Sequence, residues 1–324
     1  MSKILKKVEK LKFFVGNTPL VQISGIFEGK NLDIFAKYEA WNFTGSIKDR
    51  MAICILENAY KVGKLNEGDI IIEATSGNTG IAFAAMGAFL GHPVHIYMPD
   101  WLSEERKQLL RFYGATLHEI SAEEGGFLKC IDIVKKKSQK KGYFCPKQFE
   151  SAWNTLAHMK YTGPEIEKTL HETNKGDLDG FITGVGTGGT IMGIYHHFAQ
   201  KNPNFRAFPV LPDKNEDGGH RIEGIGDSFI PDILSLEALG PIFRVKDSDA
   251  INVARQINKL GLSVGISSGA NVFAAFSKLY STESKNIATI LCDDNKKYLS
   301  TDLTKNTTEK LSNSLEITNF EIIS

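Results

Sequence analysis

The chain holds 324 residues with 38 basic and 38 acidic side chains, so its formal charge at neutral pH is zero. A hydrophobic content of 42% with 23% charged residues is that of a folded globular protein and excludes disorder, collagen and extended coiled coil. A neutral chain has no electrostatic drive to coat nucleic acid or anionic lipid, and at roughly 150 residues per domain the length predicts two lobes.

The opening stretch, MSKILKKVEKLKFF, breaks its apolar residues with lysines and does not read as a secretory leader. The four cysteines, Cys54, Cys130, Cys145 and Cys292, form no CxxC pair and stand beside no histidine at ligand spacing. Reduced thiols, a cytoplasmic location and no structural metal are expected. The most apolar stretch, residues 81–98, is interrupted by Gly87, Gly91, His92, Pro93 and His95, so it reads as helix, turn and strand and not as a membrane span.

In chain order, Lys48 follows a Gly-Ser turn and begins a helix running on through residues 51–61. Residues 68–73 (GDIIIE) predict a strand, residues 74–80 (ATSGNTG) a loop and residues 81–90 an Ala-rich helix. A strand over 93–98 (PVHIYM) precedes a helix over 103–113 (SEERKQLLRFY). That helix opens on a capping-box pattern in which Ser103 and Arg106 flank two glutamates, with Arg in place of the usual Glu or Gln. A strand over 116–120 and a helix over 125–140 follow. A second set starts with a strand at 180–183 (GFIT), a loop at 184–190 (GVGTGGT) and a helix to about residue 200. It continues with strands at 207–211 and 287–291 and a helix at 248–260. Strand–helix alternation at this spacing argues for a doubly wound α/β fold with mostly parallel sheets. The lobes change over near residues 148–155, and the polar tail from Lys305 reads as a loose appendage.

Three segments carry chemistry. Residues 184–190 let backbone N–H groups converge at a helix N-terminus, which suits a phosphate. They also match GxGxxG, but the acidic residue a dinucleotide site needs about 20 positions on is matched only by Asp213, beyond the prolines of FPVLP. Thr75, Ser76, Asn78 and Thr79 open a helix and either hold a carboxylate there or merely cap it. Lys48 sits at a helix N-terminus, where the dipole disfavours an ammonium and favours a Schiff-base amine; a solvated surface lysine is the plainer alternative.

Taken together the segments resemble the cysteine synthase and cystathionine β-synthase branch of the fold type II pyridoxal-phosphate (PLP) enzymes. The resemblance runs from Gly16 to Leu303 through GNTPL (16–20), SIKDR (46–50), TSGNTG (75–80), Gln148-Phe149, TGPEI (162–166), GTGGT (186–190), GIGDSFIP (224–231), GISSGA (265–270) and YLST (298–301). It implies a two-lobed, three-layer αβα architecture like the tryptophan synthase β-subunit. One lobe would comprise residues 1–13 and 36–150, the other 14–35 and 151–324. It also implies PLP as cofactor, an amino-acid substrate and a homodimer.

Carried onto matching positions, Lys48 would be the Schiff-base lysine and the base at Cα, and Asn78 the partner of the cofactor's phenolic oxygen. Gly186, Thr187, Gly188, Gly189 and Thr190 would hold its phosphate. Ser267, or Ser268 in its stead, would meet the pyridine nitrogen; a helix N-cap is the alternative role for Ser267. Thr75, Ser76, Thr79 and Gln148 would clasp the substrate carboxylate.

The sequence departs from the family where small residues usually border the cofactor: here the segment reads Gly226-Asp227-Ser228-Phe229-Ile230-Pro231-Asp232. Sulfide is a ready nucleophile near neutral pH, whereas water needs a general base. The two carboxylates therefore point to release of sulfide from L-cysteine through an α-aminoacrylate and addition of water to give L-serine, with Asp232 as first choice for the base and Asp227 as second. The plainer reading makes either one a solvated loop acid or the cap of a helix over 233–239. Cysteine synthase activity is the nearest alternative, cystathionine or lanthionine synthesis comes behind, and an NAD(P)-binding oxidoreductase is the reading from a different class. Further departures are Asn42-Phe43 for Asn-Pro, ESAWNT (150–155) with Trp153 expected to reshape the entrance, Leu211 for glutamate, and Asp293-Asp294-Asn295-Lys296-Lys297 before YLST.

Overall fold

Three apolar residues at helical spacing, Ile4, Val8 and Leu11, fasten the first helix, α1 (Lys3–Leu11), to the body of the protein. Ser2 opens it by accepting the Leu5 N–H at 3.4 Å. The structure, a computed structural model, describes residues 2–75, 77–214, 219–226, 229–282, 284–305, 312 and 314–323. Strands β1 (Leu20–Phe27) and β2 (Lys30–Tyr38) form a hairpin whose two-residue turn, Glu28-Gly29, has φ of 48° and 79°. That doubly positive turn matches the twist of the paired strands.

Strand and helix then alternate: α2 (Lys48–Lys61), β3 (Ile70–Ala74), α3 (Asn78–Leu90), β4 (Val94–Pro99), α4 (Glu104–Phe112), β5 (Thr116–Ile120), α5 (Gly126–Lys137) and β6 (Tyr143–Phe144). Their strands make a parallel four-stranded sheet in the order β5-β4-β3-β6. Helix α6 (Ala152–Ala157) runs through a wide turn at His158–Thr162 into α7 (Gly163–Glu172). After it come β7 (Gly180–Gly184), α8 (Gly189–Ala199), β8 (Arg206–Pro212), β9 (Phe243–Val245), α9 (Asp247–Lys259), α10 (Ile266–Tyr280), β10 (Ile287–Leu291) and β11 (Leu315–Ile322). These strands join β1 and β2 in a seven-stranded sheet, β11-β1-β2-β10-β7-β8-β9, parallel from β2 to β9, with β1 antiparallel to both neighbours.

Period-2 alternation splits the seven-stranded sheet's side chains between two faces. Ile182 packs with Ile251 and Phe276 beneath α9 and α10, while its neighbour Phe181 packs with Ile194 and Phe205 on the α8 side. The four-stranded sheet has its own core around Leu56, Phe83 and Ile96. The result is the expected fold type II arrangement of α/β layers. No helix among the described residues is long and apolar enough to cross a membrane.

Three local expectations are corrected. The end of the tail is held: β11 pairs along β1 and buries Leu315 and Ile317, while residues 306–311 and 313 lie outside the described residues. The helix expected over 233–239 reduces to a single 3-10 turn at Leu236–Ala238 capped by Ser235, because Leu234 is drawn against Gly188 and the Ile233 N–H is taken by Phe149 O at 3.4 Å. Ser103 precedes α4 but its hydroxyl makes no cap bond; it donates to Lys297 O at 3.2 Å.

Candidate active site

The loops leaving the carboxyl ends of β3, β7 and β10 converge on one cleft, the place where parallel α/β sheets bind ligands. Lys48, Asn78, Gln148, Gly186, Thr190 and Ser267 all line it.

Lys48 is the first residue of α2, and the strand-like bridge between Ser46 and Asp293, with Ile47 N–H donating to Cys292 O at 2.9 Å, sets where that helix starts. Asp49 accepts from both the Thr44 N–H and the Thr44 hydroxyl at 2.7 Å, tying the turn down; burial pushes its carboxyl up to about 6. The next residue, Arg50, lies in a buried ion network. Its guanidinium donates to Glu39 at 2.5 and 2.8 Å, to Glu165 at 2.8 and 2.7 Å and to the Thr18 hydroxyl at 3.0 Å, while Lys37 joins Glu165 at 3.0 Å.

In the loop after β3, the Thr79 hydroxyl donates to Gln148 Oε1 at 2.7 Å, and Gln148 Nε2 donates to Ala74 O at 2.8 Å. Thr75 is buried beside them, and Ser76 lies outside the described residues. Asn78 opens α3; its Nδ2 donates to Asp293 Oδ2 at 2.7 Å, and its Oδ1 is buried without a partner.

The loop after β7 has no room for a side chain at its glycines. A Cβ at Gly186 would collide with Gly224 O, one at Gly189 with Asn154 Oδ1, and Gly188 has φ of 84° with Leu234 3.0 Å from where its Cβ would stand. Asn154 Nδ2 donates to the Thr187 hydroxyl and to Gln148 O, both at 2.9 Å, joining this loop to the Gln148 segment. Thr190 Oγ1 faces His158 Nε2 at 3.2 Å. Burial, with Arg50 and Lys48 nearby, drives the His158 imidazolium pKa well down, so the ring is neutral.

Ser267 lines the cleft one residue into α10, whose N-cap is Gly265, so the capping role considered for Ser267 is not made. Ser268 is turned away: its hydroxyl accepts the Cys292 N–H at 2.9 Å. Burial pushes the Cys292 thiol up to about 11. Arg106, buried, lies over the Tyr298 ring at 4.7 Å and pairs with Glu223 across the mouth.

The first-choice acid sits away from the cleft. Asp232 is exposed and does not line the cleft; its charge acts on Lys147 beside the Gln148 segment. It belongs to a stretch fixed over that segment by the Phe149–Phe229 ring contact at 4.9 Å. Asp227 lies outside the described residues. Trp153 does not shape the entrance: it packs into the core of the four-stranded sheet with Lys64 over its ring at 5.5 Å, and Phe127 and Phe149 line the cleft instead. The sequence reading missed Asn154, His158 and Asp293; Asn154 and Asp293 lay in segments that depart from the family pattern, and His158 carried no signal.

Two α/β lobes meeting at a lysine-bearing cleft with a glycine-rich loop at a helix N-terminus define a fold type II cofactor enzyme. The sequence profile of the family described as "Pyridoxal-phosphate dependent enzyme" matches residues 11–293. A hydrogen sulfide-producing enzyme of Fusobacterium nucleatum superposes with a TM-score of 0.91 at 43% identity, covering 98% of this chain and 99% of that one. A D232N variant of that enzyme, in complex with α-aminoacrylate intermediate, gives a TM-score of 0.92. Cysteine synthase B of Campylobacter jejuni is 39% identical over 308 residues, 92% of this chain and 99% of its own. Cysteine synthase of Staphylococcus aureus is 35% identical over 306 residues, 92% of this chain and 97% of its own. The chain belongs to the pyridoxal-phosphate-dependent enzymes, in their cysteine synthase branch, and its cofactor is PLP rather than a dinucleotide. The residues fit that cofactor: the unpartnered Asn78 Oδ1 and the backbone left bare at Gly186, Gly188 and Gly189 are features a packed apoprotein would have no reason to keep.

Proposed function

We propose that the protein converts L-cysteine and water to L-serine and hydrogen sulfide. The observation that carries this reading is Asp232, three residues from Phe229, whose ring meets Phe149 of the cleft wall at 4.9 Å, in a segment that reads GDSFIPD where the family has small residues. The F. nucleatum relative supports it: its D232N variant was captured with α-aminoacrylate, the two chains match over 98% and 99% of their lengths, and Asp232 here bears the same number.

Lys48 would bind PLP through its amine, Gly186, Thr187, Gly188, Gly189 and Thr190 its phosphate, Asn78 its phenolic oxygen and Ser267 its pyridine nitrogen. When bound, the cofactor supplies an electron sink that acidifies the substrate's Cα–H and weakens its Cβ–S bond. Thr75, Ser76, Thr79 and Gln148 hold the substrate carboxylate at the N-terminus of α3, where the helix dipole favours an anion. Lys48 Nζ removes the Cα proton, and the thiol departs as hydrosulfide, a good leaving group. Asp232, its exposed side chain turned to the cleft, takes a proton from water as the oxygen bonds to Cβ, and Lys48 Nζ returns a proton to Cα. Asp227 is the second choice for the water base.

Mass spectrometry of the product from L-cysteine in ¹⁸O-labelled water tests this. Labelled serine is expected, and Asp232→Asn should abolish it. A second reading, cysteine synthase, follows from the C. jejuni and S. aureus relatives. Efficient cysteine formation from O-acetylserine and sulfide, with no serine from cysteine, would establish it instead. The same family relationship leads us to propose a homodimer, which sedimentation equilibrium checks.

A further inference from the structure

We infer that Asp293 is a positioning residue for the cofactor: its buried carboxyl fixes which way the Asn78 amide faces, and Tyr298 holds that carboxyl in place. The inference rests on the proposed contact between Asn78 and the phenolic oxygen of PLP.

Asp293 has no exposed surface, and its Oδ2 accepts two hydrogen bonds, from Asn78 Nδ2 at 2.7 Å and from the Tyr298 hydroxyl at 2.8 Å. The Asn78 contact spans 215 positions, from the end of β10 to the start of α3 in the other sheet's lobe. The oxygen and nitrogen of an amide have nearly the same shape, so an unpartnered asparagine could present either one to a ligand. A carboxylate oxygen only accepts, which forces the Asn78 nitrogen toward Asp293 and leaves Oδ1 unpartnered. Burial, followed by the charge of Asp293, pushes the Tyr298 hydroxyl pKa well up, so Tyr298 remains a donor.

Asp293 is itself over-determined. Its carbonyl accepts the Gly265 N–H at 3.1 Å, and its backbone pairs with Ser46. A side chain at Gly265 would collide with both its Oδ1 and the Tyr298 ring. One residue therefore touches the segments that carry Lys48, Asn78 and Ser267. Since the same Asn78 amide would face the phenolic oxygen, turning it changes how that oxygen is hydrogen-bonded and hence the protonation equilibrium of the bound chromophore.

The test is a double-mutant cycle on the holoenzyme with Asp293→Asn, Asn78→Ala and the pair, read by the visible absorption maximum, its pH titration and the cofactor Kd. Asp293→Asn keeps the shape, removes the charge and leaves one acceptor oxygen where there were two, so the Asn78 amide is no longer met by acceptors alone. We expect it to shift the maximum and the titration midpoint, to weaken cofactor binding about tenfold, the loss of one hydrogen bond, and to add nothing further once Asn78 is alanine. A wild-type spectrum in Asp293→Asn beside an altered one in Asn78→Ala overturns the inference alone, as does full additivity. An unaltered spectrum in Asn78→Ala removes the proposed Asn78 contact and the inference with it. Should Asp293→Asn fail to fold by circular dichroism, Asp293→Ser takes its place in the cycle under the same criteria.

Discussion

The carboxyl of Glu73 accepts the backbone N–H of Gln148 at 3.2 Å, although 75 positions separate the two residues. Its other oxygen accepts the Ala74 N–H at 3.0 Å. Gln148 follows Lys147, whose φ of 56° is a conformation that a lysine adopts only when its surroundings hold it there. Glu73 thus pins the turn from which Gln148 reaches Thr79. Burial pushes Glu73 up to about 8, so its carboxyl is neutral at neutral pH. Between the ordinary carboxyl value and about 8 the native state binds a proton that the unfolded chain has released. The stabilisation is complete below that window and is lost as pH rises through it. Glu73→Gln is always neutral, so from about pH 5 to about pH 9 its unfolding free energy should gain a few kcal/mol relative to wild type. Urea unfolding across that range measures the difference, and a difference that stays flat refutes the assignment.

Glu165 titrates in the opposite sense. Burial raises its pKa, but the Arg50 guanidinium and Lys37 outweigh burial and hold it at about 2. The resulting stabilisation is present above the ordinary carboxyl value and disappears as pH falls toward about 2. At pH 7 Glu165→Gln should lose about 3 kcal/mol, the equivalent of the shift and of breaking a buried ion pair. The deficit should shrink on acidification. Equal destabilisation at about pH 7 and about pH 3 would contradict it.

That network also shows what the sequence could and could not disclose. GNTPL, SIKDR and TGPEI are legible as separate motifs, but nothing in their spacing says that Thr18, Arg50 and Glu165 bond to one another beneath Lys48. Strands such as β3, β4 and β10 were readable because runs of β-branched residues stand between turns. In β11, buried Leu315 and Ile317 alternate with exposed polar residues, and a polar lead-in disguised that period. Residues 233–239 carry helix-like apolar spacing, yet contacts with Phe149 and Gly188 pull them out of a helix. Asn154 stood in a segment marked only as a departure and His158 left no signal, since a polar residue near a short helix reads as surface until its partners are known.

Removing residues 306–324 should therefore destabilise the protein. β1 would lose partners from Val21↔Ile322 to Phe27↔Leu315, and the core would lose Leu315 and Ile317. Losing two buried aliphatic side chains with their ladder bonds amounts to about 3–5 kcal/mol. β11 is three strands removed from β10, which leads into Asp293, so kcat/KM at low temperature should be close to that of the full chain. Calorimetry that finds an unchanged Tm would restore the picture of a loose tail.

The most sensitive position in the glycine-rich loop after β7 is Gly189. Any Cβ there runs into the amide of Asn154, which is 1% exposed and has no room to withdraw. Displacing Asn154 would release both Thr187 and Gln148, one from the proposed phosphate site and one from the proposed carboxylate site. Overpacking of this kind is worth about 1–3 kcal/mol. Gly189→Ala should accordingly weaken PLP binding about tenfold or more and raise KM for the amino acid as well. If the collision is the cause, Asn154→Ala in the same chain should restore part of the cofactor affinity, although Asn154→Ala alone weakens it. Equilibrium dialysis of PLP against the three variants separates the outcomes. Simple addition of the two losses would mean that Gly189 matters for its backbone conformation alone and that Asn154 does not bridge the loops.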